Sequence, residues 1–275
     1  MSAAAVAGVV GWPVGHSLSP LIHNAWIKAA GLDAIYRIFP LEPDDFEEGI
    51  ARLRAEGVAG VNVTIPFKER ALALAGAADA AASDAGAANV LLFGQDGSVR
   101  ARNTDGLGLL IALEGAGFRA AGAKVALIGA GGAARGAVGA LLRAGVAEIR
   151  VLNRSIERAE ALAELDPRVS ATRDPITALT GAGAVINATS LGMDGHPPLH
   201  LPLDAAPGSA VVMDMVYRPL ETPLLKAARQ RGHPIADGLS MLVGQAVPSF
   251  EAFFGRPPPT DIDVHGLCLR ALEAM

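Results

Sequence analysis

The chain of 275 residues contains a single cysteine, Cys268, so no internal disulfide can form and a reducing compartment is expected. Long runs of basic residues are absent and the net charge is −5, which argues against a nucleic-acid footprint. No apolar stretch reaches the length needed to cross a bilayer. The apolar patch from Ala3 to Val10 has no basic residues before it, so no signal peptide is expected and a cytoplasmic protein is the default. Aromatic residues make up 4% of the chain. Lysine is scarce as well: of 23 basic residues only Lys28, Lys68, Lys124 and Lys226 are lysine. Hydrophobic residues, many of them alanine, make up 51%, which suits closely packed helices around a sizeable core. The length allows two modest domains.

Scarcity draws attention to Lys68. Val61 and Val63 alternate with polar neighbours as in a strand, and Pro66 suits the first turn of a helix. Lys68 then sits at a strand-to-helix junction, where the helix dipole disfavours a cation. It has no local structural reason to be there, and unlike arginine it can exchange a proton near neutral pH. A solvated lysine at a helix start is the plain alternative, to be weighed against its companions.

Those companions come from a β-α-β-α-β alternation. Val6–Val10 reads as a strand, and a helix follows to Gly31 with Ser19 as N-cap and Pro20 as first helical residue. Its apolar face is Leu21, Ile22, Ala25, Trp26 and Ala29; Ser17 has no such structural job. Strand Ile35–Phe39, helix Asp44–Glu56 and strand Val58–Thr64 come next. Asn89–Phe93 is a strand turned back by the hairpin signal Gln95-Asp96-Gly97-Ser98. A helix then starts at Asp105, which would serve there as an N-cap or as a functional carboxylate. The pattern predicts an α/β fold with a mainly parallel sheet, where ligands gather beyond the carboxyl ends of strands. Ser17, Thr64, Lys68, Asn89 and Asp105 each fall at or just after a predicted strand end, facing one crevice.

The second half opens with the strand Lys124–Ile128 running into Gly129-Ala130-Gly131-Gly132-Ala133-Ala134, a G-x-G-x-x-A turn placed before a helix as dinucleotide binding requires. Gly129 permits the tight turn, and Gly131 lets the backbone approach a pyrophosphate at the helix N-terminus. The next strand, Ile149–Leu152, ends at Asn153-Arg154-Ser155, with Arg158 one turn on. An NAD-binding protein would carry an acidic residue here for the ribose hydroxyls. Its absence, with two guanidinium groups in place, favours the 2′-phosphate of NADP. Strands Val185–Thr189, Ala210–Met215 and Pro234–Ala236, with a helix Thr222–Arg231, complete a doubly wound unit, and Asp237-Gly238 breaks the pattern. The helices Leu239–Phe254 and Ile262–Ala274 have no strand between them and are expected to fold back onto the first domain. The expected architecture is a substrate-binding domain, 1–105 with 239–275, a Rossmann NADP-binding domain, 106–238, and a cleft between them. His16 with His23 and His196 with His200 lack acidic companions at metal-site spacing, so no metal is expected.

A nucleotide domain beside a crevice holding lysine and aspartate suggests hydride transfer coupled to proton transfer, with Lys68 exchanging the hydroxyl proton and Asp105 orienting it. The segments Gly11 to Pro20, Asn62 to Glu69, Asn103 to Gly106, Gly129 to Ala134, Asn153 to Ser155, Asn187 to Ser190, Met213 to Tyr217, and Asp237-Gly238 through Gln245 together resemble the shikimate dehydrogenase family. The resemblance implies NADP-dependent interconversion of 3-dehydroshikimate and shikimate, the fourth step of the chorismate pathway to aromatic amino acids. It makes Lys68 and Asp105 the catalytic pair. Ser17 and Ser19 would bind the substrate carboxylate, and Thr64, Asn89, Thr104, Tyr217 and Gln245 would contact hydroxyls or carboxylate. Gly129 to Ala133 (Gly129, Ala130, Gly131, Gly132, Ala133) would form the pyrophosphate turn. Asn153, Arg154, Ser155 and Arg158 would clamp the 2′-phosphate, with Thr189 beside the cofactor and Met215 and Gly238 on the nicotinamide side. Val90 follows Asn89 where the family usually has Thr, and Ser155 replaces a commoner Thr but keeps the hydroxyl. Three alternatives stay open: a quinate or relaxed dehydrogenase using NAD, a catalytically silent nucleotide-binding regulator, and a folate-linked dehydrogenase, the last disfavoured by the shortage of aromatic residues. The expected partner is a small molecule, not nucleic acid or membrane; a homodimer is possible, and the sequence does not fix the oligomeric state.

Overall fold

Alternating short apolar runs and alanine-rich segments produce the β-α alternation that the sequence predicts. The computed structural model describes residues 4–274, so the Ala3 end of the N-terminal apolar patch lies outside the described residues. The chain divides into two units, one of residues up to Asp105 with those from Gln245 onward, the other Gly106–Gly244. The first contains β1 (Ala5–Gly11), α1 (Ser19–Ala29), β2 (Ala34–Pro40), α2 (Phe46–Ala55), β3 (Gly60–Val63), α3 (Lys68–Ala73), β4 (Ala77–Ala78), α4 (Ala80–Ala85), β5 (Val90–Phe93) and β6 (Val99–Arg102). Its sheet has the order β2-β1-β3-β5-β6-β4. Strands β1, β2 and β3 are parallel, while β5 runs antiparallel to both β3 and β6.

The second unit begins with α5 (Asp105–Gly115), whose first residue still belongs to the first unit. It continues through β7 (Lys124–Ile128), α6 (Gly132–Arg143), β8 (Glu148–Leu152), α7 (Ile156–Ala163), β9 (Val169–Thr172), α8 (Pro175–Leu179), β10 (Ala184–Asn187), β11 (Val211–Asp214), α9 (Pro223–Gln230) and β12 (Ile235–Ala236). All five strand pairings in its sheet, ordered β12-β11-β10-β7-β8-β9, are parallel. That is the doubly wound dinucleotide-binding order, with its switch point between β7 and β10. Buried Val, Ile, Leu and Ala from β7, β8, β10 and β11 fill the core on both faces, as a parallel sheet covered by helices requires. Helix α10 (Gly238–Phe254) carries Pro248, whose missing N–H leaves the Gly244 carbonyl without its helical partner. The division between units falls at that residue, six positions beyond the Gly238 break. Helix α11 (Val264–Glu273) packs on α1.

Several local expectations change. Ser19 is not the N-cap of α1: Leu18 is, with no side-chain cap, and Pro20 is the second helical residue. The buried face of α1 is Ile22, His23, Trp26 and Ile27, while Leu21 and Ala29 are exposed. Pro66 precedes α3 in a turn with a cis Ile65–Pro66 peptide, and Lys68 is the first helical residue. The alanine-rich stretch before Asn89 hides the two-residue strand β4.

Candidate active site

Lys68 is placed by its turn. Thr64 N donates to Val10 O at 2.9 Å, Phe67 N donates to Thr64 O at 3.0 Å, and the fully buried Phe67 ring stacks on Phe46 at 4.4 Å. With the Phe67 side chain locked in the core, the next residue has a fixed starting point. Lys68 Nζ donates to Asp105 Oδ2 at 2.6 Å, and the two side chains remain 32% and 28% exposed. The pair is therefore ordered yet open on one side.

Asp105 reaches it from the start of α5. Its backbone N donates to Asn103 Oδ1 at 3.0 Å, and Asp105 is itself the first helical residue, so it is not the N-cap that the sequence allowed. The Asp105 carboxylate is left to take Lys68 on Oδ2 and Asn89 Nδ2 on Oδ1, the latter at 2.8 Å. Asn89 does not end a strand: it precedes β5, and because β5 is antiparallel its start lies at the carboxyl edge of β3, where Val63 N donates to Asn89 O at 2.8 Å. Asn89 Nδ2 also donates to Thr104 Oγ1 at 2.9 Å and to Gln245 Oε1 at 3.3 Å, and its Oδ1 accepts from Thr104 N at 2.8 Å. Asn89, Thr104 and Gln245 are all buried. A buried network with its partners supplied holds one geometry.

A second layer stands behind it. Tyr36 Oη donates to Asn62 Oδ1 at 2.7 Å, and Asn62 Nδ2 donates to Asn89 O at 3.2 Å and Ser249 Oγ at 3.0 Å. Burial pushes the Tyr36 hydroxyl well above its usual pKa, against a smaller lowering from the Ser19 hydroxyl. Ser17 turns out to have a local job, since its Oγ accepts from Ser19 N at 3.3 Å. Asn62, Asn103 and Ser249 carry no role in the sequence reading. The available signal was an asparagine in β3, a strand buried at every position, where an amide must find partners. His23 is fully buried, stacked on Tyr36 at 4.1 Å, with both ring nitrogens unpartnered, and burial lowers its pKa to about 3.

The other candidate residues lie in the second unit. Gly129 has φ +108°, and a Cβ there would sit 2.7 Å from the Thr189 methyl, so only glycine fits. A Cβ on Gly131 or Gly132 would meet nothing within 4 Å. Their open faces lie at the start of the twelve-residue α6, so the donor set and the room fit a dinucleotide diphosphate. Thr189 turns its hydroxyl inward to Asn187 Oδ1 at 2.7 Å and its methyl toward Gly129. Asn187 Nδ2 donates to Asp214 Oδ1 at 2.9 Å, and Thr222 Oγ1 donates to Asp214 Oδ2 at 2.7 Å. Burial raises the Asp214 pKa despite these donors. Gly238 lies against Met215 O, where a Cβ would come within 2.4 Å. Tyr217 is half-buried in the loop after β11. Asn153, Arg154 and Ser155 join β8 to α7, and Asn153 Nδ2 donates to Ser155 O at 2.8 Å. Arg154 and Arg158 are exposed and have no hydrogen-bond or ion-pair partner among the described residues, a donor set suited to a phosphate. Among the described residues, no three His, Cys, Asp or Glu side chains gather as a metal site would need.

A six-stranded parallel sheet with this turn, together with a lysine–carboxylate pair, defines a nicotinamide-type dehydrogenase of two α/β units. Residues 9–91 match the shikimate dehydrogenase substrate binding domain, 112–191 the shikimate/quinate 5-dehydrogenase family, and 238–263 the shikimate 5′-dehydrogenase C-terminal domain. The chain is 52% identical over 275 residues to a shikimate dehydrogenase (NADP(+)) of Caulobacter vibrioides, covering 98% of this chain and 96% of the relative. Shikimate 5-dehydrogenase from Thermus thermophilus, solved with NADP(H) and shikimate, is 33% identical with TM-score 0.88, covering 97% of this chain and 99% of that one. Quinate dehydrogenase from Corynebacterium glutamicum, solved with NAD, is 29% identical with the same TM-score of 0.88 over 97% and 99%. The chain belongs to the shikimate dehydrogenase family.

Proposed function

We propose that this protein catalyses the NADP-dependent, reversible reduction of 3-dehydroshikimate to shikimate in aromatic amino-acid biosynthesis. The observation that carries the proposal is the 2.6 Å Lys68–Asp105 pair, held from behind by Asn89 in a chain of this family. NADP, when bound, supplies or takes the hydride. In the reducing direction the Lys68 ammonium gives a proton to the substrate oxygen as charge develops on it; in the oxidising direction the neutral amine takes the hydroxyl proton. Asp105 aims the amine and binds the same hydroxyl. Ser17 accepts the Ser19 N–H and keeps its own proton for the substrate carboxylate, which Ser19 also binds. Thr64, Thr104, Gln245 and Tyr217 complete the substrate contacts. The Asn89 amide is occupied by Asp105, Thr104 and Gln245, so its main contribution is to position Asp105.

Residues up to Asp105 with the C-terminal helices form the substrate domain in this scheme, and the parallel-sheet unit forms the cofactor domain. Gly129 to Ala133 would carry the diphosphate and Asn153, Arg154, Ser155 and Arg158 the 2′-phosphate. Thr189 would buttress the turn, and Met215 and Gly238 would flank the nicotinamide. The absence of an acid at Asn153 favours NADP over NAD. No helix is long and apolar enough to cross a membrane among the described residues; a cytoplasmic location belongs to the biosynthetic role. A homodimer is compatible with the activity, since every residue assigned here comes from one chain. Following nicotinamide absorbance with shikimate and quinate against NADP⁺ and NAD⁺ tests the proposal. Shikimate with NADP⁺ is expected to be the best pair by a wide margin. Equal or better rates with quinate or NAD⁺ would move the protein to the quinate branch, and no turnover would make it a nucleotide-binding regulator.

A further inference from the structure

Ser155 occupies the N-cap position of α7 yet gives that helix no side-chain cap. Its hydroxyl donates instead to Glu157 Oε2 at 2.6 Å. That bond, more than any other contact, holds the Glu157 carboxyl below its usual range. The other carboxylate oxygen lies 3.6 Å from Arg173 Nη2, with the two side chains 61% (Arg173) and 73% (Glu157) exposed. Glu157 thus engages a hydroxyl and a guanidinium in the segment that also presents the unpartnered Arg154 and Arg158. A phosphate bound by Arg154 and Arg158 would share that segment with a carboxylate that already holds the Ser155 hydroxyl.

We propose that Glu157 is a selectivity residue for the cofactor. It competes for the Ser155 hydroxyl and for Arg173, adds a negative charge beside the 2′-phosphate position, and so holds affinity for a 2′-phosphorylated adenosine below what the arginines alone would give. The proposal rests on the NADP assignment above. A first-turn glutamate placed only for the helix dipole would instead affect stability by a few tenths of a kcal/mol and leave ligand preference untouched.

The test is calorimetric titration of the full chain with adenosine 2′,5′-bisphosphate and with adenosine 5′-monophosphate, which needs no turnover. Glu157→Gln is expected to bind the bisphosphate about two- to fivefold tighter, the range of one charged interaction at an exposed site, with little change for the monophosphate. Adding Ser155→Ala to Glu157→Gln is expected to remove the part of the gain that passes through the hydroxyl. Unchanged or weaker bisphosphate binding by Glu157→Gln, in a protein whose unsubstituted form prefers the bisphosphate, overturns the role of Glu157. An unsubstituted protein with no preference for the bisphosphate overturns the NADP assignment and this proposal with it, and is recognised because no substitution is involved.

Discussion

The two units hold their candidate groups in opposite ways. In the first, Lys68, Asp105, Asn89, Thr104 and Gln245 bond to one another, and Tyr36, Asn62 and Ser249 brace them. In the second, Arg154 and Arg158 have no partner among the described residues, and the proposed diphosphate site is the main chain of a glycine turn. Proton transfer needs its groups within hydrogen-bond reach of one another, and misplacement by about 1 Å can cost roughly 10²-fold. A diphosphate needs only main-chain N–H groups and a helix end, which backbone dihedrals supply. Precision is therefore built from side chains in one half and from backbone in the other, and substitutions should fail differently: turnover in the first, cofactor affinity in the second.

The largest effect is expected at Lys68. Lys68→Ala removes the proposed proton-transfer group and should lower kcat by about 10²–10⁴-fold, with shikimate affinity largely retained. Near-normal turnover would deny Lys68 this role. Asn89→Ala comes next, releasing Asp105 Oδ1 and leaving the buried Thr104 N–H unpaired. We expect kcat/KM down by up to about 10²-fold and about 1–3 kcal/mol less stability in urea. A loss seen only in KM would mean that Asn89 binds substrate without positioning Asp105. In the second unit, Arg154→Ala should raise the NADP⁺ KM by about 10- to 100-fold, the range of one or two charged hydrogen bonds. The NAD⁺ KM and kcat should stay near their original values. A kcat effect as large as that of Asn89→Ala would erase the distinction between the halves.

What could be seen in the sequence follows the same division. The second unit reads almost directly, because β7 and the G-x-G-x-x-A turn are contiguous and their chemistry is main-chain geometry. Lys68 and Asp105 are visible as ionisable residues at element starts, but their companions depend on strand direction. Asn89 is expected as the first residue of a strand, and only the antiparallel direction of β5 brings that start to the carboxyl edge of β3. Ser19 looks like an N-cap because Pro20 follows it, whereas the helix begins one residue earlier and the serine is buried beside Tyr36. Asn62 and Ser249 meet across 187 positions of sequence, beyond the range of any local pattern. The apolar face expected for α1 shifted because α1 buries His23, an imidazole that hydrophobic periodicity does not count.

That histidine gives the smallest and most discriminating prediction. Burial takes the His23 pKa from 6.5 to about 3, so between those values the unfolded chain binds a proton that the folded chain refuses. Stability from this group is therefore fully present above about pH 6.5 and is lost as pH falls toward 3, with a slope of at most about 1.4 kcal/mol per pH unit. His23→Phe abolishes that titration. The difference in stability between variant and parent should be constant near pH 7 and should move in favour of the variant at lower pH. Carboxylates whose pKa is lowered, such as Glu148 and Asp174, and Asp214, whose raised pKa acts with the opposite sign, titrate in both proteins and cancel in the difference. Any packing change caused by the larger ring is an offset independent of pH, so only the slope counts. The two tryptophans, Trp12 and Trp26, both lie in the first unit, and Trp26 meets His23 edge-on at 5.8 Å, so urea unfolding followed by fluorescence reports on the half in question. Parallel curves for the two proteins from pH 7 to about pH 4 would show that the His23 pocket admits a proton, and the first unit would then be less rigidly built than its hydrogen bonds imply.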